Sequence, residues 1–334
     1  MLFDRFRSIR IPLAMLLTGV AVAADPSDQV RQSLDVVGSP AATREDSQRK
    51  VAAIKVLAEY SQEAIPLIID RSKDKRKPLG NRDQYLRMLT QKEFSPNLSP
   101  AHYQQLLSIV GDADEHPVIR IDAAVIVLRN DKSMTDAQRQ MVKQTAFDLV
   151  KKGENPGLVD ELILSHFAGD TEVENFLLDR LQNEQDKNSV MIALGKIHSL
   201  RGLDAIKKLL DSPEAGKSFY KVRAYAAIGD IGGDRAFDYL TEYLKKEKGT
   251  LHADSITFAI GRTKTARATK YLLDRLERAG TDDVVILMAI KFSGDASAIP
   301  VLQQELAKAK TASRRQALQQ TIAALQKGDD SWPW

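Results

Sequence analysis

One pattern recurs along this chain at intervals of 30 to 39 residues, and it limits the possible folds more than any other feature. Val222 to Leu244, VRAYAAIGDIGGDRAFDYLTEYL, shows it best. Its first half is small and apolar (Val222, Ala224, Ala226, Ala227, Ile228), which suits a helix packed closely against others. Gly229, Gly232 and Gly233 are expected to end that helix through their backbone freedom, and Asp234 to cap the next one. In the second half Ala236, Phe237, Leu240, Tyr243 and Leu244 share one helical face, and Asp238, Glu242 and Lys245 the other. Neither helix buries its apolar face alone.

Weaker copies fill the chain. The last apolar residues before successive turns are Leu57, Leu89, Leu128, Leu164, Leu194, Ile228, Ile260 and Ile290, spaced by 32, 39, 36, 30, 34, 32 and 30, with a ninth copy ending near Ala323. Two helices per unit at this period predict a stacked solenoid. In the middle copies Ser99-Pro100 and Thr135-Asp136 replace the glycine turn as helix starts. ALGKIHSLRGLDAIKKLL (Ala193 to Leu210), AIGRTKTARATKYLLDRL (Ala259 to Leu276), Ala64-Ile65-Pro66-Leu67 and Ala298-Ile299-Pro300-Val301-Leu302 carry a further likeness. On these residues the chain resembles the HEAT-like repeat family, in particular the bacterial type related to phycobilisome-lyase HEAT repeats. The resemblance implies an all-α, right-handed solenoid of eight or nine two-helix repeats over residues 48–328, with a bend at Pro66 and Pro300. Residues 25–47 then read as an N-terminal cap segment, with Val30, Leu34 and Val37 on its apolar side, and 329–334 as a tail.

Residues 1–24 differ from the rest. Arg5, Arg7 and Arg10 precede an apolar run from Ile11 to Val22 that ends in Ala21-Val22-Ala23-Ala24, the pattern of a cleaved secretory signal peptide. The run is shorter than the roughly 20 residues a membrane span needs. The expected location is the periplasm, with cleavage after Ala23 or Ala24. Loss of three basic groups and one acidic group would lower the net charge from +3 to +1, which argues against a field that draws in nucleic acid. The chain has no cysteine, so disulfides, thiol catalysis and cysteine-ligated metals are excluded.

No local motif carries chemistry. Gly216-Lys217-Ser218 follows a helix and lacks the first glycine of a phosphate loop, where Asp211 stands. Asp112, Asp114 and Glu115 lack the glycine and acid that a calcium loop requires, since Pro117 and Ala123 fill those places. His102, His116, His166, His198 and His252 are never paired at i, i+3 or i+4. The expectation is therefore a non-enzymatic chain with no cofactor and no metal.

Binding is the remaining class. The run Arg71 to Arg82 holds Lys75, Arg76 and Lys77, and Lys308 to Arg315 is also basic, so one loop edge is expected to be basic at both ends and acidic around Asp112. Arg262, Lys264, Arg267 and Lys270 form a second basic patch on the other edge. Arg49, Arg120 and Arg223, near the starts of second helices, read as a stacking ladder between repeats or as partner contacts. Phe219, Tyr220 and Tyr225 face either the concave groove or the core. Trp332 and Trp334 either anchor a partner or cap the last repeat. Together these give a scaffold or adaptor of the cell envelope whose concave face, lined by second helices, holds a protein or peptide. The alternative is a small-ligand or chromophore-handling protein on the same repeats.

Overall fold

The computed structural model describes residues 25–129, 134–152, 164–183, 187–212, 219–247, 249–279 and 284–328. The leader, both tryptophans and Gly216 to Ser218 lie outside them. Among the described residues there are α-helices and short 3-10 turns but no strand, and no helix is long and apolar enough to cross a membrane. The chain forms two compact units, the first ending at Gln138 and the second starting at Arg139.

The first unit contains α1 (Pro26–Gly38), α2 (Arg44–Glu59), α3 (Ser61–Lys73), α4 (Leu79–Met88), α5 (Pro100–Gly111) and α6 (Pro117–Arg129). α1 packs on α2, α3 and α4, α3 on α4 and α5, and α6 on both α4 and α5. Val30, Leu34 and Val37 put the apolar face of α1 fully into the core, each such side chain contributing about 1.5–3 kcal/mol. Tyr85 reaches the same core and donates its hydroxyl to the Leu34 carbonyl at 3.1 Å. Tyr60 separates α2 from α3 at the expected turn. The Ser99 start is a capping box closed with His102, in which burial lowers the imidazole's pKa. The middle copies begin their helices by side-chain capping, as their sequence suggests.

α7 (Asp136–Lys152) spans the junction, and Thr135 caps it by accepting from Gln138 N at 3.2 Å. The second unit continues with α8 (Thr171–Asn183), α9 (Asn188–Lys196), α10 (Leu200–Leu210), α11 (Phe219–Ile231) and α12 (Gly233–Lys246). It ends with α13 (Thr250–Arg262), α14 (Ala266–Ala279), α15 (Val284–Ser293), α16 (Ile299–Lys308) and α17 (Ala312–Lys327). α9, α11, α13, α15 and α17 pack each against the next, and α8, α10, α12, α14 and α16 form a looser second row. This is the expected architecture of stacked two-helix repeats, an all-α solenoid.

Glycine makes the first row tight. A Cβ on Gly229 would stand 2.5 Å from the Ala259 carbonyl oxygen, one on Gly195 3.1 Å from that of Ala227, and one on Gly261 closer still to Ala289. Gly229 therefore sits inside α11 to let two backbones touch, and does not end the helix. Three further expectations are corrected. Gly232, at φ 79°, is the N-cap of α12, so Asp234 lies in the first turn. Pro300 falls at the start of α16, where its missing N–H breaks no helical bond; of these two prolines, Pro66 is the one inside a helix. Leu194, Ile228, Ile260 and Ile290 are fully buried as aligned, whereas Ala323 is exposed and the last copy turns Ile322 and Leu325 inward.

Candidate functional site

The site is built from the turns that end the tight row. Lys196-Ile197-His198, Asp230-Ile231-Gly232, Arg262-Thr263-Lys264 and Phe292-Ser293-Gly294 occupy equivalent places in four successive repeats. The third residue of each has a positive φ, 55° at His198, 79° at Gly232, 53° at Lys264 and 64° at Gly294. Hydrogen bonds tie one turn to the next. His198 Nδ1 lies 2.7 Å from the Asp230 carbonyl oxygen, so this ring nitrogen carries the proton and donates it. Gly233 N–H donates to the Thr263 carbonyl at 3.1 Å. The Arg262 guanidinium grips the Asp230 carboxylate with two bonds, Nε to Oδ1 at 2.6 Å and Nη2 to Oδ2.

Between these turns lies a recess of about 520 Å³, lined by Lys196, His198, Asp230, Gly232, Gly233, Arg262 and Lys264, with Ile231, Thr263 and Phe292 as its apolar part. Three cationic side chains and an imidazole face one carboxylate, which Arg262 already engages. Lys196 has no carboxylate partner among the described residues. The polar side chains that line the recess are thus mainly basic.

The same helices lead a stripe away from it. Ser189, Ile192 and Lys196 fall at i, i+3 and i+7 on α9, and Arg223, Ala226 and Asp230 repeat the spacing on α11. Ser255, Phe258 and Arg262 do so on α13, and Val285, Met288 and Phe292 on α15. The middle member of each set, Ile192, Ala226, Phe258 or Met288, is part-exposed. Phe258 meets Phe292 edge to face with centroids 6.1 Å apart. A discontinuous apolar strip, one residue per repeat, therefore runs into a basic recess.

Of the residues singled out in the sequence, Arg223 lies exposed beside this strip. Tyr225 does not. It is 2% exposed and stacks against Tyr243 at 5.7 Å and His252 at 6.4 Å, and burial pushes its hydroxyl up to about 12. The correction has a simple cause: Tyr225 falls on the α11 face turned toward α12, whose Tyr243 donates to Asp211 at 2.8 Å. Tyr220 is part-exposed, and the Phe219 side chain, like Trp332 and Trp334, lies outside the described residues.

The expected arginine ladder is also corrected. Arg49 bonds Glu45 one turn away on its own helix at 2.7 Å, and Arg120 donates Nε to the Val110 carbonyl at 3.0 Å, fastening α6 to the end of α5. The ladder runs instead through Arg201, Arg235 and Arg267 on the looser row. Arg201 donates to Asn175 at 2.6 Å and pairs with Glu174 at 3.2 Å. Arg235 pairs with Asp204 at 2.6 Å and Arg267 with Asp238 at 2.7 Å, each reaching one repeat back.

The loop edge of the first unit does not present separate basic and acidic blocks. Lys75 Nζ bonds the Asp114 carbonyl at 3.2 Å and lies 3.5 Å from Asp112. Arg76 is held by Asp74 at 2.7 Å, which keeps that carboxyl below the usual carboxylate range. Arg82 and Glu115 form a buried ion pair, with Arg82 also donating to the Ser72 carbonyl at 2.7 Å. The two runs neutralise each other because adjacent repeats stack them side by side; Lys77 stands part-exposed beside them.

Among the described residues no group of three or more His, Asp or Glu side chains is placed to hold a metal. No protein-family model matches the chain, and no curated protein matches it. Among solved structures the chain is similar to human deoxyhypusine hydroxylase in complex with glycerol, at 14% identity over 90% of this chain and 97% of that one, with a TM-score of 0.31. That protein is an enzyme, so the expectation of a non-enzymatic chain, drawn only from missing local motifs, is corrected and withdrawn. A likeness this weak carries no argument about what the present chain does.

Proposed function

We propose that this chain is an exported scaffold of the bacterial cell envelope that holds an extended protein or peptide segment along the exposed face of α9, α11, α13 and α15. The observation that carries this reading is the strip of Ile192, Ala226, Phe258 and Met288. It offers one part-exposed apolar side chain per repeat, a surface that suits a long partner better than a compact ligand. Arg223 borders the strip and adds a charged contact. Export is supported by the basic, apolar and small-residue order of residues 1–24.

The test is affinity capture from envelope extracts with the mature chain and with Arg223→Glu and Met288→Lys variants. The expected result is a stable partner whose recovery drops at least about tenfold with each variant, as when a central contact of an interface is lost. Equal recovery by variants and parent would refute the assignment to this face.

A further inference from the structure

We propose that Asp83 and Asp122 form a proton-dependent latch between α4 and α6: their carboxyl groups share one proton, which holds the helices together in acid and leaves the contact easier to open as pH rises. The latch lies in the first unit and does not depend on the peptide-binding reading above.

Three observations carry it. The first is register. Asp83 and Asp122 stand six residues before Leu89 and Leu128, at the same place in successive repeats, and α4 packs on α6. Elsewhere the aligned place holds Val51, Asn188, Val222, Asp254 and Val284, so among these copies two acids are neighbours only here and the repeat itself does not call for them. The second is an unmet polar atom. Asp122 is 9% exposed, and its Oδ2 is buried without a hydrogen-bond partner. Arg87 Nε stands 3.9 Å from that oxygen, beyond hydrogen-bond reach, and bonds Asp83 Oδ1 instead. The third is the count of charges: one guanidinium serves two acids, and the Asp83 and Asp122 side chains hydrogen-bond each other. Two ionised carboxylates have no donor between them, so that bond requires a proton, and burial keeps it on Asp122.

No other charge takes the proton's place. The charged groups that act on Asp122 are Asp83 and Arg87 of α4, while Arg82 and Tyr85 of that helix are turned to Glu115 and to the Leu34 carbonyl. On α5, the other helix packed against α6, the titratable side chains are His102 and Tyr103, and neither acts on Asp122. On α6 itself Arg120 and Arg129 reach the Val110 and Thr90 carbonyls.

The direction of the response follows. With the helices packed, Asp122 keeps its proton up to about pH 8; once α6 leaves α4 the carboxyl meets water and releases it near pH 4. Opening therefore becomes about tenfold easier with each pH unit between those limits, and the dependence ends above them.

The test is amide hydrogen exchange of the mature chain from pH 5 to pH 7, read at Ile121 to Val127 as protection factors, which divide out the intrinsic rise of exchange with pH. Protection in the parent is expected to fall about tenfold per pH unit. Asp122→Asn is expected to abolish the fall, and Asp83→Asn, which puts a neutral donor beside Asp122, to reduce it. A flat profile in the parent, or an undiminished fall in Asp122→Asn, overturns the latch. An undiminished fall in Asp83→Asn overturns the shared proton, because Asp122 then titrates alone. An equal fall in α13 of the second unit ties the proton to global unfolding and overturns the latch, a result the parent gives without any variant. Calcium that restores protection at pH 7 in the parent but not in Asp122→Asn overturns it also, by assigning the pair to a cation.

Discussion

Gly261 illustrates how a single missing methyl sets the geometry of the second unit. It lies in α13 against the Ala289 backbone of α15, and backbone cannot swing aside as a side chain can. Gly261→Ala is expected to destabilise the chain by about 1–3 kcal/mol, as overpacking does, measured by urea unfolding; a change below a few tenths would mean that the helices are not so close. Asp122 gives a residue-scale pH dependence. Burial first, then the hydrogen bond and charge of Asp83, push its carboxyl from 3.8 up to about 8, against the opposing pull of Arg87. The native state thus binds a proton that the unfolded chain releases near pH 4, so this group's stabilising contribution is complete below that pH and is lost as pH rises to about 8. Its Oδ2 has no hydrogen-bond partner. Asp122→Asn should therefore be more stable than the parent at pH 8 by about 1–3 kcal/mol, with the difference vanishing near pH 4. Thermal melts across that range check it, and a pH-independent difference would contradict it.

At the scale of elements, the Arg82–Glu115 pair fastens α4 to the loop between α5 and α6. Its side chains are 6% and 4% exposed, so removing one partner strands the other charge. Glu115→Ala should cost about 3–5 kcal/mol, and a double change to Arg82→Met and Glu115→Leu should recover most of it; chemical denaturation of both variants decides. The exposed Arg201, Arg235 and Arg267 pairs are different: water screens them, so removing one partner strands no buried charge. Much of the element structure was legible in the sequence, because it is local: the Tyr60 turn, the Ser99 and Thr135 caps, and the buried register of Leu194, Ile228, Ile260 and Ile290. What it could not show depended on neighbours about thirty residues away. Tyr225 could be read on the groove side or the core side, and only packing shows that its side of α11 meets α12. The loops at Lys75 and Asp112 read as opposite charge blocks until stacking set them side by side. For the recess the cue was present in GKIHS and GRTKT aligned with GDIGG, which puts His198 and Lys264 where a glycine belongs.

At the scale of the whole molecule, the second unit consists of one tight row and one looser row, and its candidate site belongs to the tight one. The arrangement follows from where the small residues lie. Gly195, Gly229 and Gly261 draw α9, α11, α13 and α15 together, and that close approach brings one apolar side chain per repeat into line and the turns into hydrogen-bonding contact. The central claim is that an extended partner lies along this row. It is tested most directly by site-specific photo-crosslinking, with a benzophenone side chain placed in turn at Ile192, Met288, Lys208 and Lys270. The first two positions are on the strip, and the last two are exposed on α10 and α14 of the other row. The account predicts that one and the same partner peptide is crosslinked from Ile192 and Met288 and not from Lys208 or Lys270; crosslinking from the other row alone, or equally from all four positions, would contradict it.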